Sequence, residues 1–327
     1  LNIVYTNIFG PRIRAHAYKY FSLLKDIYGG KIISGRRELD YGGIEEGMKR
    51  SSADLFVISG QNHPQWKVAN KLGIPYVLCQ QDVWTLVLNS FGRTSKAQIR
   101  KAEKEEKEMI EDAEGIIFTS EDHKAYCESR YDLPSSIVVH LKPFKKDITF
   151  APRKKLPGRN LVLSGCVMKK GTSFSYKAYH EIFKNFIDRG WKVHILTPSP
   201  RSIIEYIQIG CETHSSLPQH KIYEYLSQFD AGFVGYGNGG EEYIKTCRPN
   251  KLWEYLGAGI PTVALWNVSV PEDFHKWGIQ INTFDEINNL DKHIQRINFT
   301  DQLRFEQTID EDKERLKRFF DCVLESL

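Results

Sequence analysis

The sequence predicts an α/β protein made of two successive doubly wound halves, each a parallel sheet covered by helices. Three observations predict it. Short apolar runs alternate with longer amphipathic patterns along the whole chain, which is the rhythm of βαβ units. The 327 residues are many for one core and suit two domains of roughly 150 residues each. Between the halves, 142–158 is rich in Pro and Lys and has no periodicity, so it reads as a linker.

The elements follow in order. Ile3, Val4 and Tyr5 make an apolar run that opens the chain as a strand over 2–6,. Further strands are expected at 31–34 (the weakest), 54–59, 75–79, 115–119 and 137–140. Helical periodicity separates them at 14–28, 65–72, 96–113 and 121–131,. Thr94 or Ser95 would cap the third of these,. The second half repeats the rhythm, with strands at 160–164, 192–197, 207–211, 231–236, 262–265 and 278–281. Its helices are expected at 174–189, 219–229, 249–257 and 287–297. A long charged helix over 302–324 closes the chain, with Leu303, Phe305, Ile309, Leu316, Phe319, Phe320 and Val323 as its apolar positions. The expected domains are therefore 1–147 and 148–301, followed by the terminal segment 302–327.

A hydrophobic content of 41% and a charged content of 26% fit an ordinary globular chain that needs no covalent staples. The six cysteines form no C-x-x-C or Cys/His ligand spacing, which argues against zinc and disulfide frameworks and for reduced thiols. No apolar run approaches the roughly 18 residues of a spanning helix, and the first residues read as a strand, not a signal peptide. A cytoplasmic location is expected. The net charge of +4 neither requires nor excludes a nucleic-acid partner. The mixed-sign run 101–108 reads as a solvated helix face laced by i,i+4 pairs. Asp310-Glu311-Asp312 matches a D-x-D metal string but lies in the charged terminal helix, and a solvated face explains it.

The most informative stretch is 248–264, from Arg248-Pro249-Asn250-Lys251 through Glu254-Tyr255 to Gly257-Ala258-Gly259-Ile260-Pro261. Pro249 suits the first helical position. Leu252, Tyr255 and Leu256 form one stripe, while Lys251 and Glu254 share the other side at i,i+3,. Gly257 and Gly259 are expected to end the helix, and Pro261 blocks its continuation before a buried strand. A cation and a carboxylate near a helix N-terminus suit a nucleotide diphosphate: Lys251 for the phosphates, Glu254 for the ribose hydroxyls.

This stretch resembles the donor-binding segment of GT-B glycosyltransferases, in particular the large family-4-like group with its P-x-K-x-x-E-Y-x-x-x-G-x-P pattern. The resemblance implies two Rossmann-like domains facing across a cleft, with a C-terminal helix crossing back to the first. Ser164-Gly165-Cys166-Val167-Met168-Lys169-Lys170-Gly171 is similar to the family's G-[RK]-x-x-x-K-G loop, although Cys166 stands at the usual basic position. Gly165, Lys169 and Lys170 would then face the diphosphate, whose departing charge needs ammonium groups or backbone N–H donors. His214-Ser215-Ser216-Leu217-Pro218 resembles the loop that borders the base, with Ser215 and Leu217 reading its edge. Asn250, Lys251 and Glu254 complete the donor side, together with Gly10 and Arg12 of the loop after the first strand.

On the acceptor side, Gln80-Gln81-Asp82-Val83-Trp84 resembles the family's H-D-x-W variant, with Gln81 in place of His. Gln81, Trp84 and His16 would meet the acceptor. Asp82 is the first choice for a base, His63 its rival. The glycine-rich loop 235–243 carries Glu241 and Glu242, and Glu242 is the candidate to approach the sugar, because Thr246 occupies the place of the family's first acidic residue in E-x7-E. The implied activity is metal-independent transfer of a sugar from a nucleotide diphosphate, UDP by family frequency, to an acceptor hydroxyl, with no cofactor. The acceptor is a polysaccharide or a lipid-linked sugar, with the basic linker near anionic lipid, or else hydroxymethylated DNA tracked by Arg93, Lys142, Lys145, Lys146, Arg153 and Lys154. Two rival readings keep the same layout without transfer: a nucleotide-sugar 2-epimerase, and a non-catalytic binding protein.

Overall fold

The computed structural model describes residues 1–7, 17–34, 41–60, 65–80, 82–90, 94–169, 175–198, 203–238 and 240–327. The chain divides into two compact units, one of Leu1–Asn89, Thr94–Leu141 and Ile309–Leu327, the other of Lys142–Thr308 with Ser90–Arg93.

The first unit holds a six-stranded sheet in the order β2-β1-β3-β4-β5-β6. Its strands are β1 (Ile3–Asn7), β2 (Lys31–Ser34), β3 (Leu55–Gly60), β4 (Tyr76–Gln80), β5 (Gly115–Phe118) and β6 (Ser135–Val138), all parallel. The internal strands β4 and β5 are buried along their whole length, as their largely apolar character requires. The helices are α1 (Ala17–Tyr28), α2 (Tyr41–Lys49), α3 (Gln65–Leu72), α4 (Trp84–Ser90), α5 (Lys96–Glu111) and α6 (Glu121–Glu128). Ser95, not Thr94, caps α5. Its hydroxyl accepts from the Gln98 N–H at 3.3 Å, and the Gln98 side chain accepts from the Ser95 N–H at 3.0 Å, a reciprocal capping box,.

The second unit holds another six-stranded parallel sheet, in the order β12-β11-β10-β7-β8-β9. Its strands are β7 (Asn160–Ser164), β8 (Lys192–Thr197), β9 (Glu212–Ser215), β10 (Ala231–Val234), β11 (Thr262–Leu265) and β12 (Gly278–Ile281). Helices α7 (His180–Asp188), α8 (Ile203–Gln208), α9 (Gln219–Leu226), α10 (Glu241–Thr246), α11 (Lys251–Ala258), α12 (Leu290–Ile294) and α13 (Asp301–Glu306) connect and cover them. Phe183, Phe186 and Phe233 meet edge to face at the centre of the core, with ring centroids 5.3 and 5.8 Å apart,.

Three expectations are corrected. The strand expected at 207–211 does not form: 203–208 is helix α8, and the strand follows at Glu212–Ser215. Tyr206 decides this. It is fully buried, accepts from the Tyr179 N–H at 3.0 Å and donates to the Met168 carbonyl at 2.8 Å, while Ile207, which suggested a strand, is exposed. The single terminal helix is broken into α13, a 3₁₀ turn at Ile309–Asp312 and α14 (Lys313–Ser326), because Thr308 and Ile309 turn inward and are fully buried. Asp312 is consequently buried beside Arg315, at 2.8 Å, and not on a solvated face.

Helix α14 belongs to the first unit. Its Leu316, Phe319, Phe320 and Val323 are buried, a gross gain of roughly 6–12 kcal/mol before ordering entropy. Gly115 makes room for it: a Cβ there would lie 2.8 Å from the Phe319 ring and 2.9 Å from Val323. Tyr28 of α1 donates to the Asp321 carboxylate at 2.7 Å.

Candidate functional site

In the second sheet β10 lies beside β7, not beside β9, which precedes it in the chain. The direction of strand addition reverses there, and such a reversal opens a crevice at the C-terminal ends of the two strands. Their ladder pairs Ala231 with Leu161 and Gly232 with Val162. One residue on, Tyr255 of α11 takes over the bridging. Its hydroxyl accepts from the Ser164 N–H at 2.9 Å and donates to the Phe233 carbonyl at 3.2 Å. The ring reaches this position only because residue 232 is glycine, since a Cβ there would lie 2.1 Å from a ring carbon.

That anchor fixes α11 and the side chains it presents. The Asn250 carbonyl accepts from the N–H groups of Trp253 and Glu254 at 3.1 and 3.0 Å, starting the helix. Gly259, at φ 71°, closes it in the left-handed conformation,. Gly257 does not end the helix, as the sequence suggested, but lies inside it, where a Cβ would come within 3.0 Å of Pro143 and Ile148. Arg304 completes the C-terminus. It donates to the Gly257 carbonyl at 2.9 Å and to the Ile148 carbonyl at 2.8 Å, placing a cation at the negative helix end.

Leu252, Trp253, Tyr255 and Leu256 form the buried face of α11, whereas Lys251 and Glu254, at i,i+3, stay partly exposed. The Lys251 ammonium lies against the turn after β7. Gly165 there has φ 140°, and a Cβ on it would sit 2.7 Å from Lys251 Cε and 3.1 Å from Nζ. Burial holds the Lys251 pKa below its ordinary value, and the positive charge of Lys177 adds to that, while the Glu254 carboxylate opposes it,.

Lys177 is the residue that sequence reasoning missed. It ends a 3₁₀ turn, Ser175–Lys177, that ties the two crevice loops together. Its carbonyl accepts from the Met168 N–H at 3.0 Å, and the Tyr176 carbonyl accepts from the Gly237 N–H at 2.7 Å. Tyr176 packs against Tyr236 and Tyr243 with centroids 6.1 and 5.5 Å apart. No spacing rule announces such a residue, because a tertiary turn brings it to the site.

The remaining expected residues separate. Lys169 pairs with Glu205 at 3.9 Å. Ser215 is exposed and Leu217 half-buried at the end of the edge strand β9, two strands or roughly 10 Å out from β7. Glu242 does not lie on a loop. Gly240, at φ 71°, turns the chain into α10, and Glu241 and Glu242 occupy its exposed face opposite the buried Tyr243 and Ile244.

In the first unit, Asp82 and Trp84 follow β4 and are partly exposed. Beneath them lies a second missed residue, Glu106, which the sequence assigned to a solvated face and which is buried. It accepts from the Trp84 N–H and the Thr85 hydroxyl, both at 2.7 Å. Burial raises its pKa, and these hydrogen bonds offset part of the effect. His123 of α6 has no exposed face. It is buried beside Phe118, with a pKa pushed down to about 3 by desolvation. Gly10, Arg12, His16, His63, Gln81 and Lys170 lie outside the described residues.

No protein-family profile matches the sequence, and no curated protein sequence matches it. Solved structures do. Sucrose-phosphate synthase from Thermosynechococcus elongatus is similar with a TM-score of 0.63 at 12% identity, covering 99% of this chain and 96% of that one. Anabaena HepE, solved in complex with UDP, gives 0.62 at 11% identity with 100% of both chains covered. S. aureus MnaA, solved with UDP, gives 0.62 at 9% identity over 100% of this chain and 98% of that one. At these identities the likeness establishes the fold, the two-domain α/β architecture of GT-B proteins. Among the described residues no helix is long and apolar enough to cross a membrane.

Proposed function

We propose that this protein is a glycosyltransferase that moves a sugar from a nucleotide diphosphate, UDP by preference, to an acceptor hydroxyl. One observation carries the reading: Lys251 lies against the glycine turn at the topological switch of the second sheet, with the charges of Lys177 and Glu254 near enough to act on its ammonium group. A diphosphate brought to this turn would be attracted by both ammonium groups. As the glycosidic bond to the diphosphate breaks, negative charge grows on the leaving oxygen, and cations already fixed there stabilise it. This chemistry needs no metal ion. Glu254, one turn along the same helix face, is the assigned acceptor of hydrogen bonds from the ribose hydroxyls. Two of the similar structures were solved with UDP, which agrees with this choice of base.

On the first unit, Asp82 is the proposed acceptor-side base and Trp84 a platform for the acceptor. A polysaccharide or lipid-linked sugar is preferred to DNA as acceptor, because the basic linker is engaged internally. Lys142 lies over Trp253, Lys145 over Phe305 and Lys146 over Phe144, and Arg153 pairs with Glu224 at 2.9 Å.

The test is calorimetric titration of UDP, ADP and GDP, with UDP-glucose hydrolysis followed in parallel. UDP should bind most tightly, and Glu254→Ala should weaken it about 10- to 100-fold by removing charge-assisted hydrogen bonds. Slow release of UDP from UDP-glucose separates a transferase from a binding protein. Undiminished UDP affinity in Glu254→Ala would overturn the ribose assignment, and absence of binding by any of the three nucleotides would overturn the function.

A further inference from the structure

Away from the switch point, β8 and β9 carry a polar group that the proposed reaction does not use. Their register sets His194 beside Glu212 and Leu196 beside His214. Because side chains alternate along a strand, His194, Glu212 and His214 share one face of the sheet. His194 Nδ1 lies 3.0 Å from His214 Nε2 and 3.4 Å from the Glu212 carboxylate. Among the described residues no other three His, Cys, Asp or Glu side chains bring ligand atoms within 4.8 Å of one another.

We propose that His194, Glu212 and His214 bind one divalent transition-metal ion of the zinc class. The first argument is the proton on His194. The Asn160 amide nitrogen faces the Leu156 and Gly158 carbonyls at 3.2 Å each and the Asp230 carboxylate at 3.2 Å. Its oxygen therefore faces His194 Nε2, at 3.1 Å, and Nε2 carries the hydrogen. The lone pair is left on Nδ1, directed at His214 and Glu212. A metal-binding imidazole is commonly oriented this way, by a hydrogen bond from its other nitrogen.

The second argument is geometric. Zinc binds nitrogen and carboxylate oxygen at about 2.0–2.2 Å, so neighbouring ligand atoms of a tetrahedron stand about 3.3–3.5 Å apart. The separations from His194 Nδ1, 3.0 Å to His214 and 3.4 Å to Glu212, require only small side-chain adjustments. Two imidazoles and one carboxylate favour zinc-like ions over magnesium or calcium, which take oxygen. His194 is 2% exposed, and the Phe229 ring, 4.9 Å from it, walls the inner side. Glu212, with 56% of its side chain exposed, opens the group to solvent at the sheet edge, where the ion would enter and water would fill the fourth position. Bound there, the ion ties β9 to β8 immediately before Ser215.

The experiment strips the full-length protein with a chelator and titrates Zn²⁺ by calorimetry and Co²⁺ by absorption. One equivalent of Zn²⁺ and the intense d–d bands of tetrahedral Co²⁺ are expected, with a rise in melting temperature on loading. His214→Gln and Glu212→Gln alter partly exposed positions that leave the core intact, and each should weaken Zn²⁺ at least 10-fold. Lys251→Met should leave the Zn²⁺ titration unchanged, so this outcome is separate from that of the nucleotide site. Failure of the wild-type protein to bind either ion, or Zn²⁺ binding that survives both glutamine substitutions, would overturn the proposal.

Discussion

Lys251→Met separates stability from function at one position. In the free protein the Lys251 charge is disfavoured, first by burial and then by Lys177, with Glu254 compensating in part. A lysine whose folded pKa lies below its unfolded value lowers stability once both states are protonated. That deficit is complete below the folded pKa and disappears as pH rises toward the unfolded value of about 10.4. Methionine keeps the stem that packs on Gly165 and removes the charge. The variant should therefore be more stable than wild type at neutral pH, and the advantage should shrink as pH approaches about 10. Its UDP affinity should fall, because a charge-assisted contact to phosphate contributes about 1.5–3 kcal/mol, or about 10- to 150-fold in Kd. Urea unfolding followed by tryptophan fluorescence at the two pH values, with UDP calorimetry alongside, measures both quantities. A methionine variant that is less stable at neutral pH and binds UDP within two-fold of wild type would refute the reasoning.

Tyr255→Phe removes the hydroxyl that bridges Ser164 and Phe233, leaving buried groups unpaired; urea unfolding should show a loss of about 2–4 kcal/mol with unchanged m. Gly232→Ala drives a methyl into the same ring and should be at least as damaging in that assay. Arg304→Met uncouples the Gly257 and Ile148 carbonyls and should lower stability by about 2–4 kcal/mol at every salt concentration, since the site is buried. Glu106 has a raised folded pKa, so its contribution is fullest below the usual carboxylate value of about 4.3 and is lost as pH rises through the folded pKa. Glu106→Gln should abolish that fall in a pH series of unfolding curves, and parallel curves for the two proteins would contradict it.

Helix α11 was legible because everything that defines it is local. Pro249, the i,i+3 pair Lys251 and Glu254, and Gly259 lie within eleven residues, so spacing announces the helix and its polar face, although it starts at Lys251, two residues after Pro249, and runs through Gly257 to its cap at Gly259. What Tyr255 does was not legible, because its partner is an absence of side chain at Gly232, on another element. Lys177 was missed for a related reason: the turn that delivers it is held by hydrogen bonds to Met168 and Gly237, which no sequence window contains. In the first unit, Glu106 sits in a run of mixed charges whose neighbours are solvated, and only the arrival of Trp84 and Thr85 from α4 makes it a buried acceptor.

The same contrast explains why periodicity failed at 203–211. Ile207 and Ile209 suggest a strand at 207–211 by propensity,, yet one tyrosine hydroxyl linking Met168 and Tyr179 selects the helix. Tertiary hydrogen bonding outweighed a local preference of at most about 1 kcal/mol. The consequence reaches the edge of the sheet. With 203–208 helical, the strand begins at Glu212 and not at 207, and only that register sets Glu212 beside His194 and His214 one pleat further on. A strand at 207–211 would have left His214 in a loop. The misplaced element and the overlooked histidine cluster are thus one error, and the decision at Tyr206 is what assembles the cluster.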